Sequence, residues 1–414
     1  MREAAERPAS GTAAHRAGAR NDRNRPFAIF LSYGFRPFFL LLALWAPLAL
    51  ATLLVGLSGA GWNPEALPLF RWHGHEMLFG FVAAAIAGFL LTAAPAWTGT
   101  RPVSGMPLAA LAGLWIAGRI VVSPLTGLQS TPAVLVELLF FPALMTVLAV
   151  PLIRTRNVRN YPLLLMLGLL FVADLLFHVL HVGWLGTLPF DPLRFAANLV
   201  LAMIVVVGGR IVPAFTRNAL VRAGAGSSIR PAPWLERTSL AAVAGVVAVD
   251  LAAPGTPAAG VIAALAAVLL GARVARWEGL RAIKMPIVFI LHVGYAWLAA
   301  ALALKALWLL TGTPWAVNWL HAQTAGAFGT MILAVTTRVA LGHTGRPLDV
   351  HPAITVAYAL VVIGALLRVF GQVLLPFGTL HVVACAMALW AGAFVVFLVI
   401  YAPILIGPRA DGAL

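Results

Sequence analysis

Twelve stretches of this chain are apolar over close to the length that crosses a bilayer, about 20 residues each, with short polar segments between them. They cover approximately 37–57, 76–96, 107–122, 132–152, 162–184, 194–214, 238–253, 257–273, 286–310, 318–338, 353–374 and 380–407; the third, seventh and eighth are short. In hydrocarbon every backbone N–H and C=O must be satisfied within the protein, and a helix does this inside a single segment. The chain is therefore expected to be an all-α membrane protein, a bundle of twelve transmembrane helices. A content of 62% hydrophobic and 10% charged residues, with a mean hydropathy of +0.96, excludes a soluble domain of this length.

The basic residues set the orientation, because Lys and Arg accumulate in cytoplasmic loops. With the N-terminus inside, the inner segments hold 22 of them, and the outer loops hold only Arg71 and Arg194. This makes the chain a multi-pass membrane protein with both termini cytoplasmic. The net charge of +15 does not imply a nucleic-acid partner, since it is spread over these short segments. Residues 1–28 are polar and arginine-rich without an apolar core, which predicts a disordered cytoplasmic tail rather than a signal peptide. Residues 29–408 then form a single transmembrane domain whose main partner is the lipid bilayer. The single cysteine, Cys385, excludes a disulfide framework, and the absence of CxxCH excludes covalent c-type haem.

Two sets of anchors suggest an internal triplication. The segments ending in Thr98, Thr216 and Thr344 resemble one another at offsets of 118 and 128, and in that frame Arg210 coincides with Arg338. Pro37, Pro162 and Pro286 stand at the inner starts of spans one, five and nine, at offsets of 125 and 124. Three pseudo-repeats of four helices follow, approximately 29–152, 153–273 and 274–407. This plan is also that of haem–copper oxidase catalytic subunits, an analogy of architecture alone. Arg210 and Arg338 have a plainer reading as snorkelling residues at the inner boundary.

Within this frame six of the ten histidines converge on the outer leaflet: His73, His75, His178, His181, His321 and His381. Imidazole in hydrocarbon is costly, so such residues point first to metal or haem ligation. His178 and His181 are three apart and share a helix face with Asp174, whose carboxylate would fix a ligating imidazole's tautomer. They form a candidate metal pair, with His292 on span nine as a deeper third ligand. His75 and His321 occupy equivalent helices and would clamp one haem between spans two and ten. His73 is the alternative to His75: the two cannot share a helical face, so at most one of them should point into the bundle. Glu76, Glu137 and Asp174 are the acids near the histidines, candidates for a proton route or for local capping.

The segment WHGHEMLFGFVAAAIAGFLLTAAPAWTG (72–99) resembles the signature of the NnrS family. The likeness continues in SYGFRPFFLL (32–41), RNYPLLLMLGLLFVADLLFH (159–178), GGRIVPAFTRN (208–218), ILHVGYAWL (290–298) and HAQTAGAFGTMILAVTTRVALGHTGRPL (321–348). The resemblance implies a protein of the bacterial inner (cytoplasmic) membrane with haem and copper, with nitric oxide as partner and a role in nitrosative-stress defence or denitrification; the absence of CxxCH makes the haem a non-covalent b type. By position, the family's histidines fall at His73, His75, His178, His292, His321 and His343. The oxidase pattern itself is absent, with no adjacent His-His pair and no His-x-His on span ten. The functional expectation is a haem and copper protein that binds or reduces nitric oxide, using an electron donor that the sequence does not identify. The alternatives are a membrane transporter for a metal or haem, which internal repeats also suit, and a non-catalytic sensor or sink.

Overall fold

The computed structural model describes residues 26–59, 67–125, 131–375 and 378–412. The tail expected over 1–28 lies outside these residues, except for 26–28, which open the short helix Pro26–Phe30. Among the described residues all regular structure is helical. The long helices are α1 (Phe35–Leu57), α2 (Leu69–Thr98), α3 (Met106–Val122), α4 (Val134–Arg154), α5 (Val158–His181), α6 (Pro192–Arg222), α7 (Pro233–Ala252), α8 (Pro257–Ala275), α9 (Pro286–Thr311), α10 (Pro314–His343), α11 (Pro352–Leu374) and α12 (Thr379–Ile406). Ten of them are long and apolar enough to cross a membrane. The other two are α3, a shorter apolar helix, and α7, which carries Glu236, Arg237 and Asp250.

Proline opens many of these helices. Pro192, Pro233, Pro257, Pro286 and Pro352 each take the first helical position, where the missing N–H costs nothing. Glycine ends two of them: Gly99 after α2 and Gly312 after α9 adopt φ 67°, the left-handed conformation that closes a helix without a Cβ penalty.

Hydrogen bonds tie the helix ends into two layers. At one end Arg36 donates to Leu405 O and Gly407 O, both at 2.7 Å, Gly105 N to Leu31 O, and Asn157 to Trp97 O. At the opposite end Arg71 pairs with Asp191 at 2.8 Å, and Trp72 donates to Val122 O. Helix α3 therefore begins beside Leu31 and finishes beside Trp72. Helix α7 carries Glu236 in its first turn, paired with Arg273 at the end of α8, and Asp250 in its last turn, paired with Lys305.

The most buried helices are central. In α2, α6 and α10 the buried share is 72%, 67% and 78%, and α9 matches α6 at 67%; α1, α4, α5, α8, α11 and α12 lie between 33% and 44%. Helices α2, α6 and α10 touch one another and enclose an apolar cavity of about 100 Å³, walled by Val82, Ile86, Met203, Val207, Met331 and Val335. The last helix, α12, packs against the first.

Both α2 and α10 widen into a π-helical segment, Glu76–Val82 and Ala322–Phe328, each beginning directly after a histidine, His75 and His321. The two segments are 246 residues apart, the same separation as Thr98 and Thr344. A π turn weakens the helix's own ladder, and in a bilayer the loosened carbonyls need other donors. Trp115 supplies one to Gly80 O at 3.0 Å, and Trp390 supplies one to Ala325 O at 3.1 Å. The three anchor threonines also behave alike: Thr98, Thr216 and Thr344 each donate to the carbonyl four residues earlier, at 2.7, 2.8 and 2.6 Å.

Candidate metal centre

The π segment of α2 places His75 and Glu76 toward α3, α4 and α5. Arg119 comes from α3, Glu137 from α4, and Asp174 and His178 from α5, one helical turn apart. All six side chains are buried. Two glycines leave room for them. A Cβ at Gly80 would lie 2.8 Å from Arg119 Nη1, and one at Gly118 would lie 3.1 Å from Glu137 Cγ. The small residues let charged side chains from neighbouring helices meet in the interior.

The arrangement has an inner group and a brace. In the inner group, His75 Nε2 lies 3.1 Å from Asp174 Oδ1 and 3.8 Å from Glu137 Oε1. His178 Nε2 lies 3.3 Å from Glu137 Oε2 and 3.6 Å from Asp174 Oδ1. One ligand atom from each of these four residues falls within 4.8 Å of all the others, a spacing that could hold a metal ion. The brace is Glu76 and Arg119. Glu76 Oε1 accepts from His75 Nδ1 at 3.0 Å, while Arg119 donates to both Glu76 oxygens at 3.0 Å and to Glu137 Oε1 at 2.9 Å. With its Nδ1 proton committed to Glu76, His75 turns Nε2 toward the inner group, the outer-shell pattern that orients ligating imidazoles.

Hydrogen bonding and charge both leave this group incomplete. Asp174 Oδ2 is buried without a hydrogen-bond partner, and Glu137 Oε2 and His178 Nε2 face each other at 3.3 Å without hydrogen-bond geometry. Three carboxylates against one guanidinium leave two negative charges in the interior when the imidazoles are neutral. A buried net charge of that size is strongly unfavourable. A divalent cation, or protons on both imidazoles, would neutralise it.

Several sequence expectations are redistributed. Asp174 and His178 do share a face, but Asp174 Oδ1 stands between both imidazoles instead of behind one of them. His181 is exposed, so it is not paired with His178 in this group. His292 is also elsewhere: its Nε2 lies 2.8 Å from Thr216 Oγ1 and its ring packs beside Trp277, near the opposite end of the bundle. His75 does not face His321. Instead, His73 and His321 line a second cavity of about 450 Å³, with Arg71, Arg194 and Arg368 on its wall and Phe81, Met387 and Trp390 among its apolar residues. His73 and His75 both point into protein, because α2 is enclosed on both sides. Glu76 and Glu137 belong to the metal-type cluster. Arg119 was not anticipated, although an arginine inside an apolar run is itself a signal of function.

The second cavity fits a haem on its own observations. It offers an apolar slot of suitable volume, an imidazole from α2 and another from α10, and guanidinium groups to meet carboxylates. His73 Nδ1 is buried there without a partner. His343 stands apart at the opposite end, beside Tyr33 and Phe35 with ring centroids at 5.9 and 5.7 Å.

No curated protein matches the chain. The description NnrS protein belongs to the family model that matches residues 29–409, nearly the whole length, and the chain is a member of that family.

Proposed function

We propose that this protein holds a b-type haem in the His73/His321 cavity and a second metal ion at His75, Glu137, Asp174 and His178, and that it binds and reduces nitric oxide there. The observation that carries this reading is the division of His73 and His75. Two histidines separated by a single residue serve two sites on opposite sides of the same helix, so a covalent path of three residues links them.

The donor set of two imidazoles and two carboxylates suits oxidised copper, and equally iron, zinc or manganese; it contains no thiolate or thioether. When bound, such a metal and a haem would supply coordination positions for nitric oxide and would relay electrons that an external reductant must provide. The chain's own residues do the remaining work. Glu76 holds the Nδ1 proton of His75, and Arg119 holds Glu76 and Glu137 in place. Asp174 and Glu137 can carry protons at the oxygens that lack partners. The apolar cavity between α2, α6 and α10 admits a small uncharged molecule from the lipid without a polar channel.

The same reading includes a twelve-span bundle with both termini cytoplasmic, built as three four-helix pseudo-repeats within 29–408. Its support is the end-to-end course of α3 and α7, the central position of α2, α6 and α10, and the matching π segments. A cysteine introduced at 311–317, in a chain whose Cys385 is replaced, should label from outside the cell; labelling only from the cytoplasm contradicts the topology. The functional test is nitric oxide consumption by purified protein with a chemical reductant. Many turnovers per protein are expected. Uptake that stops at one equivalent would make the protein a binding sink instead.

A further inference from the structure

Arg338, on α10, is only 9% exposed, and its guanidinium carbon lies 3.8 Å from the centre of the Phe215 ring. Its Nη1 is buried without a hydrogen-bond partner, and it forms no ion pair with any described residue. Arg210, its counterpart in the repeat frame, is exposed and reaches Asn160 Oδ1 at 3.4 Å. The third unit has therefore drawn into the interior a cation that the second leaves in the open, and has given it no anion. A guanidinium buried without a counter-charge is strongly unfavourable, and the aromatic face offsets only part of that cost.

The space beside Arg338 supplies a reason. It lines a cavity of about 820 Å³ together with Arg222 and Lys284, against the single acid Asp349. Pro286 and Pro352, the first helical residues of α9 and α11, stand on the same wall, so two helix N-termini add positive potential. Val356, on the cavity wall, is 56% exposed, and Val221 and Ile283, which adjoin the lining residues Arg222 and Lys284 in sequence, are 59% and 57% exposed. Cations interleaved with exposed aliphatic side chains match the boundary between phosphate headgroups and acyl chains.

We propose that this cavity binds a phosphate anion, supplied either by the headgroup of an anionic phospholipid or by free phosphate. Full-length protein stripped of phospholipid in neutral detergent should unfold a few degrees higher when phosphatidylglycerol is added, because a ligand of the folded state alone raises its melting temperature. Zwitterionic phosphatidylcholine should do less. Arg338→Gln should abolish the shift. The double variant Arg222→Gln, Lys284→Gln should reduce it by more than half, and because both residues are exposed, this variant carries the test should Arg338→Gln not fold. A response to phosphatidylglycerol without one to inorganic phosphate assigns the site to a lipid headgroup. A response to inorganic phosphate over chloride at equal ionic strength assigns it to the free anion. No response to either, or equal responses in wild type and variants, would overturn the proposal.

Discussion

Two buried polar clusters lie toward the same end of the bundle, and they differ in charge. The first joins His75, Glu76, Arg119, Glu137, Asp174 and His178 across α2 to α5. The second joins Asn198, Asp250, Lys305 and Gln323 across α6, α7, α9 and α10. In the second, Lys305 pairs with Asp250 and sits 4.9 Å above the Trp319 ring, Asn198 donates to Asp250 at 2.7 Å, and Gln323 donates to Asn198 at 3.4 Å. One cation meets one carboxylate, so that pair is neutral, although Gln323 Oε1 is buried there without a hydrogen-bond partner. The first has three carboxylates to one guanidinium. Burial and hydrogen bonding alone make the two clusters look alike; charge balance is what separates them.

The largest effect should follow from removing the first cluster's only permanent cation. Arg119→Met leaves three carboxylates facing one another and should cost about 3–5 kcal/mol, read as a fall in detergent-solubilised thermal stability. Added divalent metal should recover part of it, and a variant as stable as wild type would show that the carboxylates are already protonated. In the second cluster, Lys305→Met alone should cost a similar amount, but Lys305→Met with Asp250→Asn should come close to neutral, since the pair is removed together. A double variant that loses metal would dissolve the contrast between the clusters. A subtler change is Glu76→Gln, which keeps the size of the brace and weakens its hold on His75 Nδ1. Metal affinity should fall about 10–100-fold, the usual cost of losing an outer-shell carboxylate, and titration with metal after chelation would measure it.

The smallest effect lies outside the membrane-spanning helices. Glu278 is held at a pKa of about 2, below its ordinary 4.5, chiefly by the Ser228 hydroxyl and further by Ser227, Arg281 and the Ser228 N–H. Because the folded value is depressed, the tie between the 227–228 and 278–281 segments is fully present above about pH 4.5 and is lost as the pH falls toward 2. The protection factor of the Ser228 N–H, that is, exchange corrected for its intrinsic pH dependence, should therefore fall over that window and stay flat from pH 5 to 8.

The helices were legible because the bilayer imposes a length on apolar runs. Thr98 and Thr344 stand 246 residues apart, the same step that relates the two π segments. Those segments themselves were not legible, since WHGHEMLFGFV has no composition that separates a π turn from an α turn. Asp174 and His178 were readable as a pair from their spacing. Arg119, Asp250 and Lys305 stood in the sequence as charges within or beside apolar runs, but which charge meets which is fixed by helix neighbours far apart in sequence. The assignment of His73 and His75 to separate sites depends on protein packing against both faces of α2, which no local pattern records.

The central claim is that one helix serves two cofactors, His73 facing one and His75 the other. Haem and metal content measured in parallel on purified His73→Ala and His75→Ala variants tests it most directly. His73→Ala should lose the haem absorbance and keep its non-haem metal, whereas His75→Ala should lose the non-haem metal and keep the haem. Loss of both cofactors together from either stably folded variant, or retention of both in each, would contradict the division.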